Sequence, residues 1–237
     1  MLPSKADIKL IRTLSEKKFR ERYALFVVEG EKLVQEAIRS EYIVEKVFYS
    51  KDIGEELMSR MTLLSSPSPA LALIRIPEKK SSVSIDSSKL YLALDTIRDP
   101  GNMGTIIRLA DWFGIKQIFA SEDCVEIYNP KVTQATMGSI FRVDVQYTDL
   151  TKLFACVTDK IEIFGTYLDG ENIYQHPLTQ GAIITMGNES RGISPGLAPY
   201  IKSKIHIPSF TAEGPGSESL NVAVATAIIC SEFRRRY

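Results

Sequence analysis

The chain has 237 residues, 44% hydrophobic and 24% charged, the balance of an ordinary globular protein rather than a disordered or fibrous one. That length buries a sizeable core without disulfide or metal staples and suits one large domain or two small ones. Lys and Arg total 29 and Asp and Glu total 29, so net charge selects no polyanionic partner. Three scattered cysteines and two histidines exclude a disulfide framework and a zinc-type ligand set.

The start, Met1-Leu2-Pro3-Ser4-Lys5, has no apolar signal region. The longest apolar run, around residues 220–230, is too short to span a bilayer. A cytoplasmic location away from membranes is the expectation.

Residues 8–22 carry Ile8, Ile11, Leu14 and Phe19 at helical spacing. Over residues 5–22 seven basic residues stand against three acidic ones. Such a stripe either attracts phosphates or is a solvated helix face. Residues 25–28 read as a strand, 31–38 as a helix after Gly30, 44–49 as a strand and 71–76 as a third strand. Residues 77–88, rich in Ser, Pro and Lys, mark a linker. It divides a small α/β domain, 1–80, from a second domain, 81–237.

In the second domain residues 90–94, 117–120, 161–167 and 182–186 read as strands. Residues 104–113, 130–138, 150–158 and 219–233 read as helices. The alternation implies a mostly parallel sheet with helices on both faces. Arg234, Arg235 and Arg236 close the chain, suiting either phosphates or the negative end of the last helix.

Three segments place a strand end against a helix start, where ligands bind in such sheets. The first, Leu94-Asp95-Thr96-Ile97-Arg98-Asp99-Pro100-Gly101-Asn102-Met103-Gly104, leads into a helix carrying Arg108. Asn102 is expected as the N-cap, accepting a helix N–H. Arg108 lies among Ile106, Ile107, Leu109 and Ala110, so it reaches an edge, pairs with an acid or holds an anion.

The second segment, Thr185-Met186-Gly187-Asn188-Glu189-Ser190-Arg191-Gly192-Ile193-Ser194, ends a buried strand in a Gly-Asn-Glu turn. Gly187 lets a ligand approach the backbone. Glu189 either binds a hydroxyl or amine, pairs with an arginine, or is a plain exposed acid. The third runs Ile205-His206-Ile207-Pro208 and then opens an apolar helix with Ser219 and Asn221, which suit an anion or act as caps. The G-x-G-x-x-G, G-x-x-x-x-G-K-[ST] and G-x-S-x-G patterns are absent.

In this order the segments resemble the SpoU (TrmH-like) branch of the SPOUT RNA methyltransferases. Asp99-Pro100-Gly101-Asn102-Met103-Gly104 with Arg108 and Ala110 is similar to the family's first motif, and Gly187-Asn188-Glu189 with Gly192 and Ser194 to its second. Ile207-Pro208 with Ser219-Leu220-Asn221-Val222-Ala223-Val224-Ala225 is similar to its third. Thr136-Met137-Gly138-Ser139-Ile140-Phe141-Arg142 resembles the region between the first two. Phe26-Val27-Val28-Glu29-Gly30 and Glu36-Ala37 are similar to the family's substrate-binding domain, a small unit like RNA-binding ribosomal proteins. Two departures stand out. Ser190 replaces a frequent Gly, and the loop 209–218 is longer than usual, so it either alters substrate choice or acts as a lid, with Gly214-Pro215-Gly216 suggesting mobility.

The resemblance implies an α/β fold with a mostly parallel sheet and a C-terminal trefoil knot. It implies a homodimer with the active site built across it, and S-adenosylmethionine held by backbone around Gly187, Ile207 and Leu220. The reaction is methyl transfer to a ribose 2′-hydroxyl of RNA, ribosomal before transfer RNA, with no metal. Arg108 is then the proton acceptor or, because arginine stays charged, a ligand for phosphate and developing alkoxide. Asn102 and Glu189 orient Arg108 or the ribose, and Ser219 and Asn221 shape the third turn and position the nucleotide. Two other readings compete. The missing glycine fingerprint opposes a flavin or NAD site. Asn102, Arg108, Glu189 and Asn221 together oppose a non-catalytic RNA-binding protein with a degenerate methyltransferase domain.

Overall fold

The computed structural model describes residues 2–78, 84–210 and 219–237. The elements run α1 (Lys5–Thr13), α2 (Lys17–Tyr23), β1 (Leu25–Glu29), α3 (Glu31–Arg39), β2 (Val44–Tyr49), α4 (Ser50–Ile53), α5 (Glu55–Met61) and β3 (Ala70–Arg75). They continue with β4 (Leu90–Leu94), α6 (Pro100–Trp112), β5 (Gln117–Ala120), α7 (Pro130–Thr136), β6 (Asp144–Tyr147) and α8 (Leu150–Val157). The last four are β7 (Glu162–Asn172), β8 (Ala182–Met186), β9 (Ser203–His206) and α9 (Val222–Arg235). The chain packs as two compact units, one of α1 to β3 with residues 126–142, the other of β4 to β5 with residue 143 onward.

The first unit holds a three-stranded antiparallel sheet in the order β1-β3-β2, with Phe26 opposite Ile74 and Phe48 opposite Leu71. The helix expected over 8–22 is two helices. A capping box of Ser4 and Asp7 starts α1, and the chain breaks at the buried Leu14 before α2 begins. Arg20 does not belong to the basic stripe. It is 2% exposed, donates to the carbonyls of Leu14 (2.7 Å) and Ser15 (2.9 Å), and pairs with Glu126 through Nε at 3.0 Å. One guanidinium thus satisfies the carbonyls freed at the helix break and a carboxylate more than a hundred residues away.

Residues 126–142, assigned to the second domain on sequence grounds, pack into this first unit. Tyr128 stacks obliquely on Phe26 with ring centroids 4.7 Å apart, and Phe141 meets Tyr42 edge-on at 5.1 Å. Arg142 pairs with Glu36. Gly138 has φ +97°, and a Cβ there would lie 2.9 Å from Glu36 Cγ, so both conformation and space require glycine. Within the same unit Glu29 is enclosed by the Thr62 hydroxyl (2.6 Å) and the Leu63 N–H (2.7 Å), and burial pushes its carboxyl up from the usual range.

The second unit holds a six-stranded parallel sheet in the order β6-β5-β4-β8-β7-β9. β6 was not expected from the sequence. It is an edge strand whose four residues are all half-buried, so it lacks an apolar run. Tyr91, Phe119, Ile163 and Ile183 fill one face of the sheet against Leu153, Phe154 and Leu197. β7 runs five residues past its expected end, pairing with β9 on both sides of an irregularity between Thr166 and Glu171.

The terminal arginines clamp α9 to neighbouring loops. Arg236 donates to the carbonyls of His176, Ile173 and Tyr174, and Arg234 donates to Phe113 at 2.8 Å. Arg235 and Arg236 both pair with Glu232 and hold its carboxyl down at about 2. Among the described residues no helix is long and apolar enough to cross a membrane.

Candidate active site

The crossover from β4 to α6 differs from expectation at its cap. Asp99, not Asn102, caps the helix, its carboxylate accepting the Asn102 N–H at 2.7 Å. Pro100 takes the first helical position, where its missing N–H costs nothing. Helix α6 therefore starts four residues before the expected Gly104, and Asn102 becomes a helical residue whose amide is available to other segments.

That amide joins the three motif segments. Asn102 Nδ2 donates to Glu189 Oε1 at 2.7 Å, and Asn102 Oδ1 accepts from Asn221 Nδ2 at 2.9 Å. Glu189 comes from the turn after β8. Asn221 caps α9, its Oδ1 accepting the N–H groups of Ala223 (3.0 Å) and Val224 (3.3 Å). A carboxylate only accepts and the asparagines do both, so the donor and acceptor order along this relay is fixed.

The turn carrying Glu189 is built on Asn188. Its main chain pairs with Gly192 in both directions, at 3.0 and 2.9 Å. Its Oδ1 accepts from the N–H groups of Ser190 (3.0 Å) and Arg191 (3.1 Å), and its Nδ2 donates to Thr96 O at 2.9 Å. Ser190 is accommodated because the left-handed conformation falls on Gly192, φ +68°. Gly187 is demanded by the turn itself, since a Cβ there would come within 2.3 Å of the Gly192 carbonyl carbon.

Beneath the turn, Asp95 is 4% exposed and accepts from the Ser194 N–H (2.6 Å) and the Thr96 hydroxyl (3.0 Å). Thr96 has φ +58°, a strained conformation for a β-branched residue, and its N–H is held by Ser121 Oγ at 2.9 Å. Of these residues only Ser194 stands among the motif residues; Asp95, Thr96 and Ser121 carry no expected role. Asn188 is the type that closes such turns and was the one legible signal. Nothing marks a threonine as left-handed.

Arg108 does not join the relay. It lies about 9 Å further along α6 than Asn102 and on a different face. It is exposed and makes no side-chain hydrogen bond or ion pair among the described residues. The same exposed face carries Thr105 and Trp112, the latter 84% exposed. Ser219 and Leu220 are exposed on the approach to α9. Most of the expected lid, residues 211–218 with Gly214-Pro215-Gly216, lies outside the described residues.

The strand ends bearing the expected cofactor positions also hold buried polar atoms with no hydrogen-bond partner among the described residues. Thr185 Oγ1 precedes Gly187 by two residues, His206 Nδ1 immediately precedes Ile207, and the Tyr167 hydroxyl lies on β7 beside β8. Burial, ahead of Asp169 and Asp95, pushes that hydroxyl up. Buried polar groups left unpaired are costly, and a ligand with both polar and apolar parts relieves them. Such strand-end groups fit a nucleoside bearing an amino-acid tail. Among the described residues no group of three or more His, Cys, Asp or Glu is placed to hold a metal ion.

The chain is similar to known proteins in sequence and fold. Residues 89–231 match the SpoU rRNA methylase family, and residues 5–76 match an MRM3-like substrate binding domain. The chain is 28% identical over 245 residues to the 23S rRNA (guanosine(2553)-2′-O)-methyltransferase RlmP of Bacillus subtilis, covering 94% of each protein. A solved TrmH-family protein from Porphyromonas gingivalis superposes with a TM-score of 0.85 at 35% identity over all of both chains. An rRNA methyltransferase from Sinorhizobium meliloti with bound S-adenosylmethionine superposes with a TM-score of 0.86 at 26% identity, over all of this chain and 98% of that one. The family match covers more than half of the residues and includes all three turns joined by Asn102, Glu189 and Asn221, so the chain belongs to the SpoU rRNA methylase family.

Proposed function

We propose that the chain transfers the methyl group of S-adenosylmethionine to a ribose 2′-hydroxyl of ribosomal RNA. The observation that carries this reading is the Asn102–Glu189–Asn221 relay at the carboxyl ends of parallel strands, within the matched family. When bound, the cofactor supplies a methyl group already activated on a sulfonium. The protein's task is then alignment and charge stabilisation.

Gly187, Ile207 and Leu220 would hold the cofactor, beside the strand-end groups of Thr185 and His206 that are open to a polar ligand. Glu189, held by Asn102, orients the ribose, and Ser219 and Asn221 shape the third turn around the nucleotide. Arg108 binds the adjacent phosphate and the alkoxide that develops as the hydroxyl loses its proton to solvent water. A guanidinium that stays charged serves better as that ligand than as a base.

The first unit binds the RNA, with Lys5, Lys9 and Arg12 exposed along α1. A second copy of the chain completes the active site. Arg108 shares its exposed face with Trp112, and α9 exposes Val224, so a two-fold contact through these helices buries apolar surface and carries each arginine to the other copy's relay. The C-terminal trefoil knot and a cytoplasmic location belong to the same reading.

Mapping 2′-O-methyl marks in total RNA after deletion of the gene tests the substrate. One ribosomal mark should vanish and return with the parent gene; loss of a transfer RNA mark alone replaces the ribosomal assignment. Titration with S-adenosylmethionine should saturate, and no binding at millimolar cofactor sinks the enzyme reading. Mixing inactive Arg108→Ala and Glu189→Ala chains should recover activity, because a mixed dimer rebuilds one complete site. No recovery after verified subunit exchange places the whole site in one chain.

A further inference from the structure

We propose that Arg98 and Arg191 form a phosphate-gripping pair that fixes the RNA backbone beside the ribose held at the relay. The proposal rests on the methyltransferase reading and extends it to residues outside the three motif roles.

The first support is placement. Arg98 lies on the crossover directly before the cap Asp99, and Arg191 follows Glu189 by two residues. The two turns are cross-braced by Asn188 Nδ2 to Thr96 O (2.9 Å), Ser194 N to Asp95 Oδ2 (2.6 Å) and Asn102 Nδ2 to Glu189 Oε1 (2.7 Å). Both stems therefore spring from backbone tied to the same side chains that define the site.

The second support is charge. Arg20, Arg75, Arg142, Arg235 and Arg236 each pair with a carboxylate. Arg98 and Arg191 are exposed and make no side-chain hydrogen bond or ion pair among the described residues. The acids nearest in these turns are already engaged by uncharged donors: Asp99 by the Asn102 N–H, Asp95 by Ser194 and Thr96, and Glu189 by Asn102 and Asn188. Two uncompensated guanidiniums beside a ribose site suit a phosphodiester, whose oxygens match the guanidinium fork. Such contacts set register on the backbone and carry no base information.

The test uses the full chain, with ribosomal RNA from cells lacking the gene as probe. The Arg98→Gln/Arg191→Gln variant should bind this RNA more weakly and raise KM for it. Its log affinity should fall less steeply with log salt, by about 0.7–0.9 per arginine removed. The value of kcat, the affinity for S-adenosylmethionine and the melting temperature should stay at parent values. Arg98→Lys/Arg191→Lys should restore the salt slope, because charge is what it reads. Parent-like RNA affinity and slope in the glutamine variant overturn the proposal. So does a loss confined to cofactor affinity, which assigns the arginines to the cofactor carboxylate instead.

Discussion

In the first unit Arg20 and Glu126 meet in the interior and Glu29 is closed in by Thr62 and Leu63, whereas in the second the carboxylates of Asp95, Asp99 and Glu189 stand at strand ends and accept from amide, hydroxyl and main-chain donors. The buried charge of the first unit closes on itself: it satisfies a helix break and recruits residues 126–142. In the second the acids brace the turns while Arg98, Arg108 and Arg191 are left without an acid among the described residues. The difference separates charge that holds a fold from charge reserved for a ligand, and it predicts that mutations in the two regions fail in different assays.

Arg20→Ala should be the most damaging change. It strands the Glu126 carboxylate and two carbonyls, a loss of about 3–5 kcal/mol in unfolding free energy. Denaturant titration measures it, and methyl transfer per folded molecule at low temperature should be unaltered. A rate defect with parent stability would dissolve the distinction between the units.

Arg108→Ala should do the reverse. The side chain is exposed, so the melting temperature should hold while kcat falls by about 10²–10³-fold, as for removal of a group stabilising a developing oxyanion. Parent kcat with parent cofactor affinity removes Arg108 from the chemistry. Glu189→Gln should be milder, about tenfold in kcat/KM, because one amide contact survives and the charge that orients the relay is lost. An unchanged kcat/KM would mean that the relay serves the fold alone.

Glu29→Gln should give the smallest effect. Burial raises the folded-state pKa of Glu29 above its unfolded value, so its contribution is fully present below about pH 4.5 and is lost as pH rises through the folded pKa. The glutamine keeps partners for Thr62 and Leu63 without the buried charge. It should melt about 2–4 °C above the parent at pH 8, with the gain disappearing near pH 4. A gain at pH 4 that vanishes at pH 8 would reverse the sign and refute the assignment.

Much of the scaffold was legible in the residue pattern. β4, β5 and β8 are buried on both faces, and such strands read as continuous apolar runs. The helix after Gly30 announced itself by periodicity. The edge strand β6, half-buried throughout, did not. The relay residues were each visible as polar groups at helix or strand ends, but their contacts were not. Asp99 and Asn102 are both cap-forming types, and it is Asp99 that caps in the fold.

By itself the sequence determined the alternation of elements, the three turns and their family, because apolar spacing and turn residues act over a few neighbours. Tertiary structure decided the rest. It buried Arg20, drew residues 126–142 into the first unit and forced Thr96 left-handed. It also left Arg98 and Arg191 without acids among the described residues. The physical reason is distance along the chain: Asn102 meets Glu189 and Asn221 across 87 and 119 residues. Those meetings follow from β4 lying between β5 and β8 in the sheet and from α6 packing on α9, which no local pattern encodes.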